Sequence, residues 1–316
     1  MRVISVTPAG RRRYLAALVP HLLRQRHIID EHHWWLNTTD ADDIRYVEQV
    51  TAEHPKFFKI RRKEVRPDLQ LGENIWRYFR DYARPNTLYI RFDDDILYVA
   101  DDAVDNLVRY RLAHREPLLV LGNIINNAVC THFHQQAGLV PWHWGEVRNE
   151  CMDHNGWWRG EFARRLHALV LDELRHDGLE RWKQVALPVE GTRRFSINVI
   201  SWLGDDLAGV PELAQDRIDE EPFLTETLPS RLGRPTVACP AALFVHFAFY
   251  PQRPLLEWTW PELVGHYQAL AEQEGYQPRS TETVLRLVRD TAWLMGKSAG
   301  KVRAHARKHW WPREAA

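Results

Sequence analysis

Asp93, Asp94 and Asp95 follow directly on an apolar run, Leu88-Tyr89-Ile90-Arg91-Phe92. Three adjacent carboxylates at the end of a buried strand repel one another and are costly to strip of water. A divalent cation removes that cost. An oxygen-rich site of this kind suits Mg²⁺ or Mn²⁺, which also bridge a substrate diphosphate. An acid-rich turn or helix start in water is the competing reading, and the strand ahead of the triplet weighs against it. His132 and His134 alternate as on a strand and would share a face. No third ligand stands at zinc spacing, so they are expected in a loop. In Asn155-Gly156-Trp157-Trp158, glycine offers a hinge and indole a surface for stacking sugar faces, although a packed turn is the commoner use of such residues. Arg66 and Arg77 precede the triplet and are candidates to meet a diphosphate or a base, with surface ion pairs as the alternative.

These residues need elements to hold them. Residues 1–7 read as a buried strand, with Val3, Ile4 and Val6 apolar and Pro8-Ala9-Gly10 ending the run. A helix is expected from Arg13 to about Arg26, with Pro20 kinking or splitting it. Residues 33–37 form a second strand, 42–53 a second helix and 57–60 a third strand. A helix over 73–82 leads to the strand 87–92, which runs into the triplet. A helix over 103–110 and an apolar strand over 117–124 follow. Residues 126–160, rich in His, Trp, Asn and Gly, read as a long functional loop. A helix over 161–174, strands over 194–202 and 237–249, and helices over 261–274 and 281–309 complete the chain. The alternation of strand and helix predicts an α/β fold with a mixed, mainly parallel sheet flanked by helices. Ligands of such sheets bind outside the carboxyl ends of the strands, where the triplet stands.

YIRFDDDI after an α/β half resembles the DxD motif of GT-A glycosyltransferases, whose sheet is Rossmann-like. The resemblance implies that Asp95 binds the metal while Asp93 and Asp94 support metal and nucleotide. Val6-Thr7-Pro8-Ala9-Gly10-Arg11 ends the first strand where GT-A enzymes contact the nucleotide. Thr7, Pro8 and Arg11 are therefore candidates, with Arg11 reaching phosphate or base. Asp219-Glu220-Glu221-Pro222-Phe223-Leu224 resembles the acidic motif that supplies the base of inverting members. Glu220 and Glu221 are candidates, with Asp219 behind them, because a carboxylate that takes the proton makes an acceptor hydroxyl a better nucleophile. His246, in Phe244-Val245-His246-Phe247, stands where many members place a histidine on the metal. Trp157, Trp158 and His132 would face sugar or acceptor. The pieces cover about residues 1–255 and are similar to bacterial polysaccharide glycosyltransferases, including some assigned as rhamnosyltransferases.

The resemblance implies sugar transfer from a nucleotide-diphosphate sugar to a glycan or lipid-linked acceptor, in surface polysaccharide synthesis and with inversion. A nucleotidyltransferase is the alternative, although Pro8-Ala9-Gly10-Arg11 has less Gly than its phosphate loops and no Lys. A non-catalytic carbohydrate-binding module on the same scaffold is another. The expected organisation is a catalytic domain over 1–255, split into a nucleotide half (1–125) and an acceptor half (126–255), then a helical, basic extension over 256–316.

The whole composition agrees. A formal net charge of zero speaks against a general nucleic-acid binder. The three cysteines, far apart, form no disulfide framework or zinc site and fit a reducing compartment. With no apolar stretch near the roughly 20 residues of a bilayer span, a cytoplasmic protein is expected. Its basic end, with Trp310-Trp311, would touch the membrane peripherally. Fourteen tryptophans are a heavy load. In pairs such as Trp34-Trp35 one member is expected to face outward.

Overall fold

A computed structural model describes residues 1–273 except 177, 190 and 192. The element order is β1 (Arg2–Ala9), α1 (Arg12–Arg24), β2 (Glu31–Leu36), α2 (Ala41–Glu53), β3 (Phe58–Arg62), α3 (Leu71–Phe79), β4 (Thr87–Phe92), β5 (Ile96–Val99), α4 (Ala103–Ala113), β6 (Leu119–Ile125), α5 (Ala128–Gln136), α6 (Gly160–Arg175), β7 (Val199–Leu203) and β8 (Thr236–His246). Helices Arg253–Thr259 and Leu263–Gln273 follow. The strands form one sheet in the order β3-β2-β1-β4-β7-β6-β8-β5. β1 to β4, β6 and β8 point one way, and only β5 and β7 oppose them. The α/β, Rossmann-like, mainly parallel sheet expected from the sequence is therefore present.

β1 outlasts its expected end because of where Pro8 sits. The carbonyls of Val3 and Ala9 accept from Asp30 and Asn37 on the β2 side. By alternation Pro8 faces β4, whose pairing with β1 stops at Val6. Its missing N–H therefore leaves no gap in a ladder. α1 likewise runs through Pro20 without a break. α2 starts as its sequence signals: the Asp40 carboxylate accepts from the N–H groups of Asp42 and Asp43 at 2.8 and 3.1 Å.

Three expectations fail here. Trp34 and Trp35 are both buried, because β2 is covered on both faces, as interior parallel strands are. Trp34 stacks on Phe58 and Trp35 on Tyr78. Residues 126–160 are more regular than expected. Asn127 caps α5 through Cys130 N–H, and residues 154–158 form a wide helical turn. His132 and His134 thus lie on a helix and not on an alternating strand. No helix among the described residues is long and apolar enough to cross a membrane. The helix expected over 281–309, the basic end and Trp310-Trp311 lie outside the described residues.

Candidate functional site

The chain goes from β1 to β2 on one side, while β4 lies on the other. The crevice between the carboxyl ends of β1 and β4 is thus a topological switch point, the usual ligand site of such sheets. The triplet forms the turn there from β4 into β5, closed by Ile96 N–H donating to Asp93 O at 3.3 Å. β5 pairs antiparallel with β8, setting Ile96 opposite His246 and Phe247 N–H on Asp95 O at 2.8 Å. A histidine 151 positions downstream in the numbering thereby reaches Asp95.

Each acid of the triplet has its own surroundings. Asp94 is nearly buried, gripped by Arg11 through Nε at 3.0 Å and Nη2, and accepts from Gly10 N–H at 3.2 Å. Burial pushes its carboxyl up against the pull of Arg11, and Asp95 and Asp93 add to the rise. Asp95 is 2% exposed. Its Oδ2 meets Arg253 Nη2 at 2.8 Å and Arg11 Nη2 at 3.2 Å, and its Oδ1 faces His246 Nε2 at 3.4 Å. Burial opposes its charge, yet Arg11, His246 and Arg253 together hold it well below the usual carboxylate range. Asp93 turns away to Arg91 at 2.8 Å and Asn198 at 3.0 Å.

Among the described residues no three His, Cys, Asp or Glu side chains converge to hold an ion by themselves. That is the usual case for Mg²⁺ or Mn²⁺ completed by phosphates and water. Asp95 and His246 fit the role of the protein's share. Their facing atoms lie 3.4 Å apart, near the roughly 3 Å between adjacent ligands of an ion coordinated at about 2.1 Å. His246 Nδ1–H donates to Asn126 O at 3.0 Å, which turns Nε2 toward Asp95, the orientation that bound histidines require. Asn126 itself adopts a φ of 64°, uncommon for a non-glycine residue. Its side chain bridges Phe247 O and Gln252 Oε1 at 2.8 and 3.1 Å.

The acidic motif lies on the Asp93 side of the crevice. Arg91, buried on β4, spans Asp93 and Glu220, with Nη1 2.8 Å from Glu220 Oε2. Burial pushes the Glu220 carboxyl up to about 8 despite Arg91. Glu221 is 22% exposed at its side chain and accepts from Arg194 Nε at 2.8 Å. Burial also raises its carboxyl, opposed by Arg194. Asp219 is exposed and packs against Gly72, where an added Cβ would lie 2.8 Å from its Oδ1.

The remaining candidates meet different surroundings. Arg77 donates to Glu64 O at 2.6 Å and stands 4.0 Å from Asp216, and Arg66 pairs with Asp68 and Asp216, so both take part in the ion pairs that were the alternative. Thr7 is buried at the end of β1, its hydroxyl without a hydrogen-bond partner. Pro8 continues the strand, and Gly10 N–H is taken by Asp94, so the turn before Arg11 is less open than expected. His132 donates to Val147 O at 2.8 Å, and His134 is buried against Asn123 and Trp182. Gly156 is no hinge: an added Cβ would lie 2.9 Å from Val147 Cγ1 and 3.0 Å from Ala128 Cα. Trp157 is buried and stacks on Phe249, which packs against His246; Trp158 and Tyr250 close the group. The Trp157-Trp158 turn is thus a packed wall on the His246 side.

Sequence reasoning missed Arg91, Arg194, Asn198 and Arg253. Arg91 gave a signal, a charge inside an apolar strand. Arg253 gave none.

Together these define an α/β protein whose switch-point crevice presents buried acids, a histidine and several arginines. No protein-family model matches the chain, and no curated protein matches it. Among solved structures it is similar to a mannosyltransferase from Pyrobaculum calidifontis in complex with GDP-Man and Mn²⁺. The two are 13% identical with a TM-score of 0.47, covering 98% of this chain and 76% of the other. It is also similar to glucosyl-3-phosphoglycerate synthase from Mycobacterium tuberculosis in complex with Mn²⁺, UDP and glucosyl-3-phosphoglycerate. Identity there is 16% and the TM-score 0.42, over 89% of this chain and 83% of the other. A shorter likeness, to 4-diphosphocytidyl-2C-methyl-D-erythritol synthase from Anaerococcus prevotii, covers 40% of this chain at 12% identity and a TM-score of 0.29.

Proposed function

We propose that the chain is a metal-dependent glycosyltransferase that moves a sugar from a nucleotide-diphosphate sugar to a glycan or lipid-linked acceptor with inversion. The observation that carries this reading is the pairing of Asp95 with His246 Nε2 beside Arg11 and Arg253 at the switch point. It gathers an oxygen and a nitrogen donor for a divalent ion and guanidinium groups for a diphosphate in one crevice. Asp95 and His246 would hold Mn²⁺ or Mg²⁺, which when bound offsets charge on the departing diphosphate.

The protein groups do the rest. Arg11, at the mouth of β1, would bring positive charge to phosphate oxygens from a guanidinium whose Nε and Nη2 rest on Asp94. Asp93, held by Arg91 and Asn198, is preset to receive a ribose hydroxyl or a water on the ion. Glu221 is the base: its side chain is partly exposed and its carboxyl is raised, which would let it take a proton from an acceptor hydroxyl. Glu220 is nearly buried against Arg91 and positions that arginine. The Trp157 and Phe249 wall would bound the sugar on the His246 side.

The test is donor turnover with UDP-, GDP- and dTDP-sugars, with Mn²⁺ or EDTA, on wild type and Asp95→Ala. Nucleoside diphosphate should be released only by wild type with metal. Turnover that survives both EDTA and the substitution would refute the assignment, and conversion of the same donors with added pyrophosphate into nucleoside triphosphate and sugar 1-phosphate would indicate nucleotidyl transfer instead.

A further inference from the structure

Asp95 is almost sealed from water, so its charge depends on neighbours, and Arg253 is at 2.8 Å the nearest of them. A dication seated between Asp95 and His246 would meet this guanidinium at short range, and two cations so close in a dry site repel strongly. Arg253 is also built to be held near Arg11. Both lie over the ring of Tyr14, at 5.7 and 5.1 Å from its centroid. Tyr14 is fixed by its hydroxyl, which donates to Glu257 Oε1 at 2.5 Å, and Glu257 lies on the helix that Arg253 begins. Arg253 Nε is buried with no hydrogen-bond partner, and its other bond is from Nη2 to Ala248 O at 2.9 Å. The guanidinium therefore has donors to spare.

We propose that Arg253 is an exchangeable counter-charge: it partners Asp95 while no metal is bound, yields it to the metal, and turns beside Arg11 over the Tyr14 ring onto the arriving diphosphate. This rests on the metal–diphosphate reading above. Its consequence is coupling. The metal alone binds poorly because it must displace Arg253, whereas metal and diphosphate together leave neither Asp95 nor Arg253 without a partner, and each strengthens binding of the other.

The test uses the full chain, with free Mn²⁺ followed by electron paramagnetic resonance and inorganic pyrophosphate with Mg²⁺ followed by calorimetry. Arg253→Ala should bind Mn²⁺ alone at least tenfold more tightly than wild type and Mg²⁺-pyrophosphate at least tenfold more weakly. Arg253→Lys, which keeps the charge without the planar fork, should match wild type toward Mn²⁺ and fall between the two toward pyrophosphate. Unchanged or weakened Mn²⁺ binding in a folded Arg253→Ala chain, or unchanged pyrophosphate binding, overturns the exchange. Should Arg253→Ala not fold, wild-type pyrophosphate affinity in Arg253→Lys overturns it. If wild type binds neither probe, the metal–diphosphate reading falls and takes the inference with it; wild-type binding with indifferent variants sinks the inference alone.

Discussion

Two adjacent glutamates in the acidic motif are sorted by a few ångströms. Glu220 turns to buried Arg91, and Glu221 turns to Arg194 with its side chain partly in solvent. Glu221→Gln should lower turnover by about 10²- to 10⁴-fold, the range for a lost general base, with donor affinity nearly unchanged. Glu220→Gln should act through Arg91 and Asp93, weakening donor binding more than turnover. Steady-state kinetics with separate measurement of donor affinity tells the two apart, and the reverse pattern would move the base to Glu220. The sequence showed both glutamates but not their neighbours, since Arg91 and Arg194 lie over twenty residues from the motif in chain order.

At the scale of elements, the site depends on how closely the strands and their connections approach. Gly204, after β7, packs where an added Cβ would stand 1.9 Å from Arg84 O, in the turn leading to β4. Backbone cannot yield there as a side-chain tip can. Gly204→Ala should therefore cost about 3 kcal/mol, the upper end for overpacking, and lower Tm by roughly 5–10 °C. Thermal denaturation measures it, and an unchanged Tm would show that the turn relaxes freely. Strand 87–92 was read from sequence to the residue, because a mainly apolar run between turn signals has few other readings. β5 was not, since four residues behind an acidic turn carry no period to detect. α5 was missed for the opposite reason: its polar residues, His134 and Gln135, are buried, so its pattern resembles a loop.

For the whole molecule, buried titratable groups set a pH window for stability. Burial lowers His21 and His134 to about 3, and His33 and His167 to about 4. Groups lowered in the folded state contribute stability that is present above the unfolded histidine value, about 6.5, and lost as pH falls toward 3–4. Glu220 runs the other way. With its carboxyl raised to about 8, its contribution is full below about 4.5 and lost as pH rises through 8. A pH series of Tm should decline on both sides. His134→Gln should flatten the acid limb and Glu220→Gln the alkaline limb; limbs identical to wild type in both variants would contradict the assignment.

The sequence by itself determined the alternation of strands and helices, and with it the sheet class and the placing of Asp93–Asp95 at a strand's carboxyl end. Those are local matters, decided by apolar period and turn residues. It also pointed to His246 and the Glu220-Glu221 pair, but through resemblance. Only the tertiary structure decided which groups meet. Antiparallel pairing of β5 with β8 brings His246 to Asp95, and the helix after β8 carries Arg253 to the same carboxylate. Ion pairing in a dry crevice depends on distance through space, to which order along the chain gives no guide.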